Sequence, residues 1–425
     1  MSAEPRQPGN RKILSAVLLP GLAVYLLLVT AQFLAAEFSG LSRPQTVKWA
    51  VWLDPLNAGY ADQLGLFELR VNGSPAAALR WFQKATFLNP TRAGYWLDRA
   101  VAENALGDST AQLQSMLRVE EVEPHSAALA WELGNLSLVL GDTQNALREY
   151  RAVMENDPPL APQAIEMSWK THPDVGYLLA HVVPENADKA FLSFLISHHE
   201  PEAAMNVWER IASLQQPVDR PFLFEYIRYL LAGHQPTQAA RVWQQAAALS
   251  NLEAYQPTEE NLVVNGDFSL EMLNGGFDWQ YSKSPIVALA LDPLESDSGS
   301  RSLRISFDGP GVTDAGIRED IAVEPGTEYA FSAYYKAQDM DGAGGPRFAI
   351  QDFYNGRTFF MSDDLHQTDM WTQLTGTFTT GPDTHIVVLR IARVPAGSPI
   401  RGKLWIDDLK LVTAERLASG QKEQP

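Results

Sequence analysis

The sequence predicts a multidomain α + β chain: one transmembrane helix, an all-α solenoid of repeated helix pairs, and then an all-β sandwich. Three observations carry that expectation. Ile13–Ala36 runs for 24 residues without a charge. Glycines and prolines then recur with a period of 34 residues. After Gln256-Pro257-Thr258 the chain changes to short alternating runs separated by Gly, Pro, Asn and Asp. The boundaries that follow are 1–12 for a cytoplasmic N-terminus, 13–36 for the membrane helix, 41–254 for the repeats, 261–415 for the sandwich and 416–425 for a flexible tail.

The apolar run comes first. At about 1.5 Å per residue it reaches across a hydrocarbon layer of about 30 Å. Arg6, Arg11 and Lys12 precede it, while Glu37 and Arg43 follow. Basic flanks stay on the cytoplasmic side, so everything beyond residue 36 is expected across the membrane. A cleaved signal peptide is the alternative, with Leu34-Ala35-Ala36 as a poor cleavage site. The run is longer than the roughly 7–15 residues of a signal core, which favours an uncleaved anchor. Pro20-Gly21 is expected to kink the helix without stopping it.

The repeat comes next. Gly73, Gly107 and Gly141 are spaced by 34 residues, as are Pro90, Pro124 and Pro158, and Phe82, Met116 and Tyr150. Each glycine falls in a turn that wants positive φ. A helix with apolar residues at helical spacing follows, as in Leu147, Tyr150 and Met154. Asn89-Pro90, Glu123-Pro124 and Asp157-Pro158 then stop it, because proline cannot donate and restricts its predecessor. Small residues in the partner helices, such as Ala100 and Gly134, let two helices approach closely.

This pattern resembles the tetratricopeptide repeat, a helix-turn-helix unit of 34 residues. Leu133-Gly134, Gly141, Ala146, Tyr150 and Pro158 stand at the family's signature places. Two departures mark the earlier copies as degenerate: Gln112 where alanine is usual and Arg99 where leucine is usual. Thr46–Leu56, with Trp49, Trp52 and Asp54-Pro55, reads as a leading half-repeat. Looser helix pairs are expected from about 173 to 250, around Trp208 and Trp243. Tryptophan and tyrosine in the array read as core. The resemblance implies a concave surface for a protein partner.

In the last segment, Ser302–Phe307, Tyr329–Lys336, Arg347–Phe353, Trp371–Thr379, Ile386–Val394 and Lys403–Val412 read as strands of an antiparallel sandwich of about eight strands. Leu374 and Phe378 share one face; Leu389 and Ile391 share another, with Arg390 pointing away. Specific words stand out: Asn261-Leu-Val-Val-Asn-Gly-Asp-Phe268, Gly276-Phe-Asp-Trp279, Ser302-Leu-Arg-Ile305, Val323-Glu-Pro-Gly-Thr-Glu-Tyr329 and Trp405-Ile-Asp-Asp-Leu409. They resemble the galactose-binding-like jelly rolls of carbohydrate-binding modules attached to bacterial glycosidases.

That resemblance implies first and last strands lying together, sharing a structural calcium ion. Asp267 with Asp407 or Asp408 would supply hard oxygen ligands. Ser269 stands where a glutamate is usual. A sugar site needs an aromatic platform flanked by planar hydrogen-bonding groups. The candidates are Tyr334, Gln351 and Arg390, with Phe353, Tyr354, Phe359 and Phe360 along a rim. Trp279 and Trp371 sit at framework positions and read as packing.

Composition limits the remaining functions. A net charge of -18 weighs against a nucleic-acid partner, since phosphate binding needs basic surface. With no cysteine, disulfides, thiol catalysis and cysteine-ligated zinc are excluded, while an oxidising compartment stays open. Histidines are scattered, and no nucleophile elbow or phosphate-cradling loop is present. The expectation is a non-catalytic scaffold in a bacterial inner membrane, with its folded domains periplasmic or otherwise extracytoplasmic. Its repeats would bind a protein and its sandwich would contact polysaccharide during assembly or export. A purely structural assembly protein without a sugar ligand is the second reading. A glycoside-processing enzyme, with a carboxylate pair such as Asp363-Asp364, is the third.

Overall fold

A computed structural model describes residues 9–368 and 370–416. Residues 1–8, with Arg6, and 417–425 of the expected tail lie outside the described residues. The chain forms two compact units that divide between Phe194 and Leu195.

The first unit is helical. It opens with α1 (Gly9–Gly40), which runs through Pro20 without a break. Then come α2 (Pro44–Leu53), α3 (Ala58–Arg70), α4 (Pro75–Leu88), α5 (Ala93–Ala105), α6 (Ser109–Val122), α7 (Ala127–Val139) and α8 (Thr143–Asn156). They are followed by α9 (Ala161–Thr171), α10 (Val175–His181) and α11 (Asp188–Ser197), within which the division falls. Gly73, Gly107 and Gly141 take φ of 60°, 75° and 77°, as the turns require. After two of them, Asp108 and Asp142 cap the next helix by accepting from Ala111 and Asn145 N–H. The helices stop before the expected prolines, at Leu88, Val122 and Asn156.

Close approach within a pair depends on absent side chains. A Cβ on Gly134 would lie 2.8 Å from the Tyr150 ring, and one on Gly65 would lie 2.6 Å from Phe82. Both rings are fully buried. The degenerate copy between them replaces apolar contact with polar contact. Arg99 donates to Glu103 at 2.8 Å, and Ser115 donates to the other Glu103 oxygen at 2.7 Å. Gln112 is buried beside this seam with no hydrogen-bond partner among the described residues, a cost that alanine would avoid. Trp49 and Trp52 depart from the reading of array aromatics as core: they are 55% and 79% exposed.

The second unit begins with the helices α12 (Pro201–Ser213), α13 (Arg220–Ala232) and α14 (Pro236–Leu249). Buried Trp208 ties α12 to α14 by donating to Gln245 at 2.9 Å. The strands are β1 (Gln280–Tyr281), β2 (Val287–Asp292), β3 (Ser302–Gly309), β4 (Asp314–Ala322), β5 (Glu328–Gly342), β6 (Gly345–Asp352), β7 (Thr358–Met361), β8 (Thr372–Thr379), β9 (Ile386–Val394) and β10 (Ile400–Thr413). They form two antiparallel sheets, ordered β1-β4-β9-β6-β7 and β2-β3-β10-β5-β8. The inner faces meet over Leu303, Ile305, Phe331, Phe348, Leu389 and Ile406. Phe378, Leu389 and Ile391 are buried in that core and Arg390 faces outward, as the alternation predicts.

Compactness groups α12–α14 with the sandwich, although helix ends by Tyr255, near the expected boundary, and the first strand begins at Gln280. A paired glycine makes the seam. Added Cβ atoms at Gly275 and Gly276 would lie 2.4 Å from Phe224 of α13 and 2.3 Å from Trp243 of α14. Tyr354 closes the same seam, stacking on His234 and donating to the Leu231 carbonyl at 3.0 Å.

Candidate functional site

The two outer faces of the sandwich differ. Across the β2-β3-β10-β5-β8 sheet, residues 292–298 fold back over the strands. Trp405 points outward yet is 4% exposed and donates to Asp292 at 3.0 Å. Lys336 pairs with Glu295 at 2.8 Å, and Asp407 accepts from the Asp297 and Ser298 N–H groups. Residues 292–298 thus cover that face around Trp405, Lys336 and Asp407, while β8 at its edge stays exposed.

The outer face of the β1-β4-β9-β6-β7 sheet carries the polar groups. Register aligns Gln280 with Arg318, Arg318 with Arg390, Arg390 with Ala349, and Ala349 with Met361. The neighbouring row sets Asp320 beside Val388 and Val388 beside Gln351. Short Ala349 and Ala392 thus alternate with planar amide and guanidinium groups, the donors that sugar hydroxyls use. Arg318 donates to Gln280 at 3.1 Å, and Arg390 lies 3.5 Å from Asp314. The Arg390 Nε is buried with no partner among the described residues.

The sequence-derived sugar residues do not form one site. Gln351 and Arg390 share this face, on adjacent strands β6 and β9. Tyr334 is on the opposite sheet, half-buried beside Asp407, because β5 and β6 join across the sandwich edge and enter different sheets. Tyr354 is committed to the helices. Phe360 packs on core Phe331, Phe359 stacks with Phe378, and Phe353 lines a crevice against α13. Trp279 is buried against Phe268, as its framework position implied. Sequence reading missed Gln280, Asp314 and Arg318 because β1 and β4 were not recognised as strands. Asp314–Ala322 places Glu319 on its core-facing side among Ala315, Ile317 and Ile321, which breaks the apolar alternation.

That inward Glu319 belongs to a buried acidic cluster. It accepts from Val264 N–H at 2.7 Å, and burial pushes its carboxyl well above the usual range. Burial likewise raises Asp278 to about 7, against the opposing pull of backbone N–H donors from Leu273 and Trp279. Asp320 is raised by burial and drawn back by Arg318 and Gln280. Asp364, of the acidic pair at 363–364, accepts from Arg347 at 2.7 Å.

The residues proposed for calcium do not fit that ion. Both Asp407 oxygens accept backbone N–H groups, from Asp297, Ser298 and Asp408. Asp267 accepts from Ser269, and Asp408 pairs with Lys410 at 2.9 Å. Beside them Arg301 donates to the Phe268 and Ser269 carbonyls and to Glu271, so a guanidinium supplies positive charge to the oxygens of the opening motif. Among the described residues, no three His, Cys, Asp or Glu side chains converge on a metal position.

Residues 260–396 match the family described as carbohydrate binding domain. Similar solved structures include a CBM4 structure at 19% identity, covering 36% of this chain and 99% of that one, with a TM-score of 0.27. The CBM22-1 xylan-binding domain of Paenibacillus barcinonensis Xyn10C is 15% identical, covering 35% of this chain and 91% of that one, with a TM-score of 0.25. The crystal structure of MamA is 18% identical, covering 42% of this chain and 92% of that one, with a TM-score of 0.29. The chain joins helix pairs repeating every 34 residues to a two-sheet β-sandwich, and residues 260–396 match the model for a carbohydrate binding domain.

Proposed function

We propose that this protein is a membrane-anchored, non-catalytic scaffold of a bacterial envelope. Its helix pairs hold a protein partner, and its sandwich contacts a polysaccharide during assembly or export. The glycan contact falls on the outer face of the β1-β4-β9-β6-β7 sheet. The observation that carries this reading is the row Gln280, Arg318 and Arg390, whose guanidinium side chains stay 48% and 35% exposed on a face that α13 and α14 cover only in part. Two guanidinium donors flanked by an amide oxygen, in a line across strands, suit successive hydroxyls of a sugar chain.

Retention of α1 as an anchor has independent support. Leu18–Gly40 is long and apolar enough to cross a membrane. Its last turns are built into the folded unit: Ala35 is fully buried, Ser39 donates to Gln63 at 2.7 Å, and Phe38 packs edge-on against Trp49. Cleavage after Ala36 would strip Ala35 out of that packing. Exposed Trp49 and Trp52 on α2, just after the C-terminal end of α1, suit the lipid interface, where amphipathic rings collect.

Carbonate extraction of membranes and a glycan-array screen of the full chain in detergent test the two parts. Retention in the pellet and reproducible glycan binding are expected. A soluble, shortened product would contradict the anchor; an array without signal from folded protein would contradict the glycan contact.

A further inference from the structure

Beside this row of planar groups, at the β1–β4 edge of the same sheet, a cavity of about 430 Å³ opens against α13. Arg228 of the helix, Asn274 and Gln280 at the sandwich entry, Tyr281 of β1, and Asp314 and Arg318 of β4 line it. We propose that this composite pocket binds a carboxylated sugar, so that the scaffold's polysaccharide is an acidic one carrying uronate-type residues. The inference rests on the glycan reading and names its substrate class.

The charge balance is local and unusual for this chain. Arg228 is exposed and makes no ion pair or hydrogen bond among the described residues. The Arg318 side chain is 48% exposed. Asp314 is answered by Arg390 at 3.5 Å, and Asp320 by Arg318 at 3.5 Å. The pocket wall thus carries two arginines, Arg228 and Arg318, against one aspartate, Asp314, which Arg390 already answers, in a protein whose net charge is -18. An uncommitted guanidinium on an acidic protein is a recognition feature, since a planar fork holds a carboxylate bidentately.

The remaining lining suits a sugar ring more than a free anion. Tyr281 is 38% exposed at the rim and offers a ring face for stacking. Gln280 and Asn274 are held in place, Gln280 by donating to Asp320 at 2.9 Å and Asn274 by accepting from Tyr281 N–H at 2.8 Å. Both Gln280 N–H groups go to Gly276 and Asp320, so what remains for hydroxyls is the Asn274 amide nitrogen and the second lone pair of the Gln280 oxygen, each held without a further ordering cost. Because Arg228 belongs to α13, the pocket exists only where the helices are docked on the sandwich. Acid recognition is then a property of the two together.

The test is calorimetric titration of the full chain in detergent with tetrasaccharides containing glucuronate, galacturonate or mannuronate. Each is compared with the same compound reduced at its carboxyl to the neutral sugar. At least one acidic compound should bind about tenfold more tightly than its reduced form. That preference should shrink between about 50 and 500 mM salt. Arg228→Gln should abolish the preference for the acidic form, and Tyr281→Ala should weaken both forms. Equal binding of acidic and reduced compounds, or a preference that survives Arg228→Gln, overturns this inference but leaves the glycan reading standing. No binding of either form overturns both.

Discussion

Tyr354 stacks on His234 with ring centroids 4.4 Å apart and an interplanar angle of 22°. One ring belongs to the loop after β6 and the other to the turn after α13, so this contact fastens helix to sandwich. A residue that reads in sequence as a sugar-binding aromatic serves here as a structural joint.

Replacing Tyr354 with phenylalanine removes the hydroxyl bond to Leu231 and should cost about 0.5–1.5 kcal/mol. Alanine, which also removes the stacking and the buried ring, should cost more. Denaturant unfolding followed by tryptophan fluorescence checks the order, because Trp243 sits in the same seam.

Two glycine-to-alanine changes should have opposite signs. Gly134→Ala drives a methyl into the Tyr150 ring and should destabilise by about 1–3 kcal/mol. At Gly94, in α5, nothing lies within 4 Å of the added carbon, so alanine should stabilise by up to about 1 kcal/mol through helix propensity. Thermal midpoints of the two variants measure both effects.

Stability should fall as pH rises from about 4 to about 7. Burial raises the folded Asp278 carboxyl to about 7 from an ordinary 3.8, so over that window the folded state binds the proton that the unfolded state has released. Buried Glu319, raised in the same direction, adds to the slope. Asp278→Asn should flatten the dependence, with a difference on the order of a few kcal/mol at neutral pH. Melting curves at intervals from pH 4 to pH 7.5 read it directly.

Calcium removal should leave the melting temperature unchanged, because Arg301 and backbone N–H groups engage the oxygens at the strand junction. Arg301→Gln should lower it, by breaking contacts to Phe268, Ser269 and Glu271. A chelator-sensitive melt in the unsubstituted chain would count against this hydrogen-bonded clasp.

Much of the architecture is legible from local chemistry. Gly107 and Gly141 need positive φ, and Pro90 and Pro158 end helices; both signals act within a few residues. In β9, Leu389 and Ile391 on either side of Arg390 are enough to give its inner face. The glycan face was less legible because it depends on sheet assignment. Tyr334 and Gln351 lie on consecutive strands, yet the β5–β6 connection sends them to opposite sides of the core. Arg318 was hidden for a different reason: its strand carries an inward carboxylate, Glu319, one of whose oxygens accepts from Val264 some 55 residues away. Arg228 belongs to a helix whose pattern records only its own packing, and its place beside β4 is a tertiary fact.

The central claim is that glycan binds on the β1-β4-β9-β6-β7 face, and one comparison tests it most directly. Full-length chain should be titrated with a glycan identified on the array, alongside Gln351→Ala, Arg318→Ala and Tyr334→Ala. The account predicts weakened binding for the first two variants and unchanged binding for Tyr334→Ala, which alters only the opposite sheet. Loss confined to Tyr334→Ala, or a folded chain that binds no glycan, would contradict it.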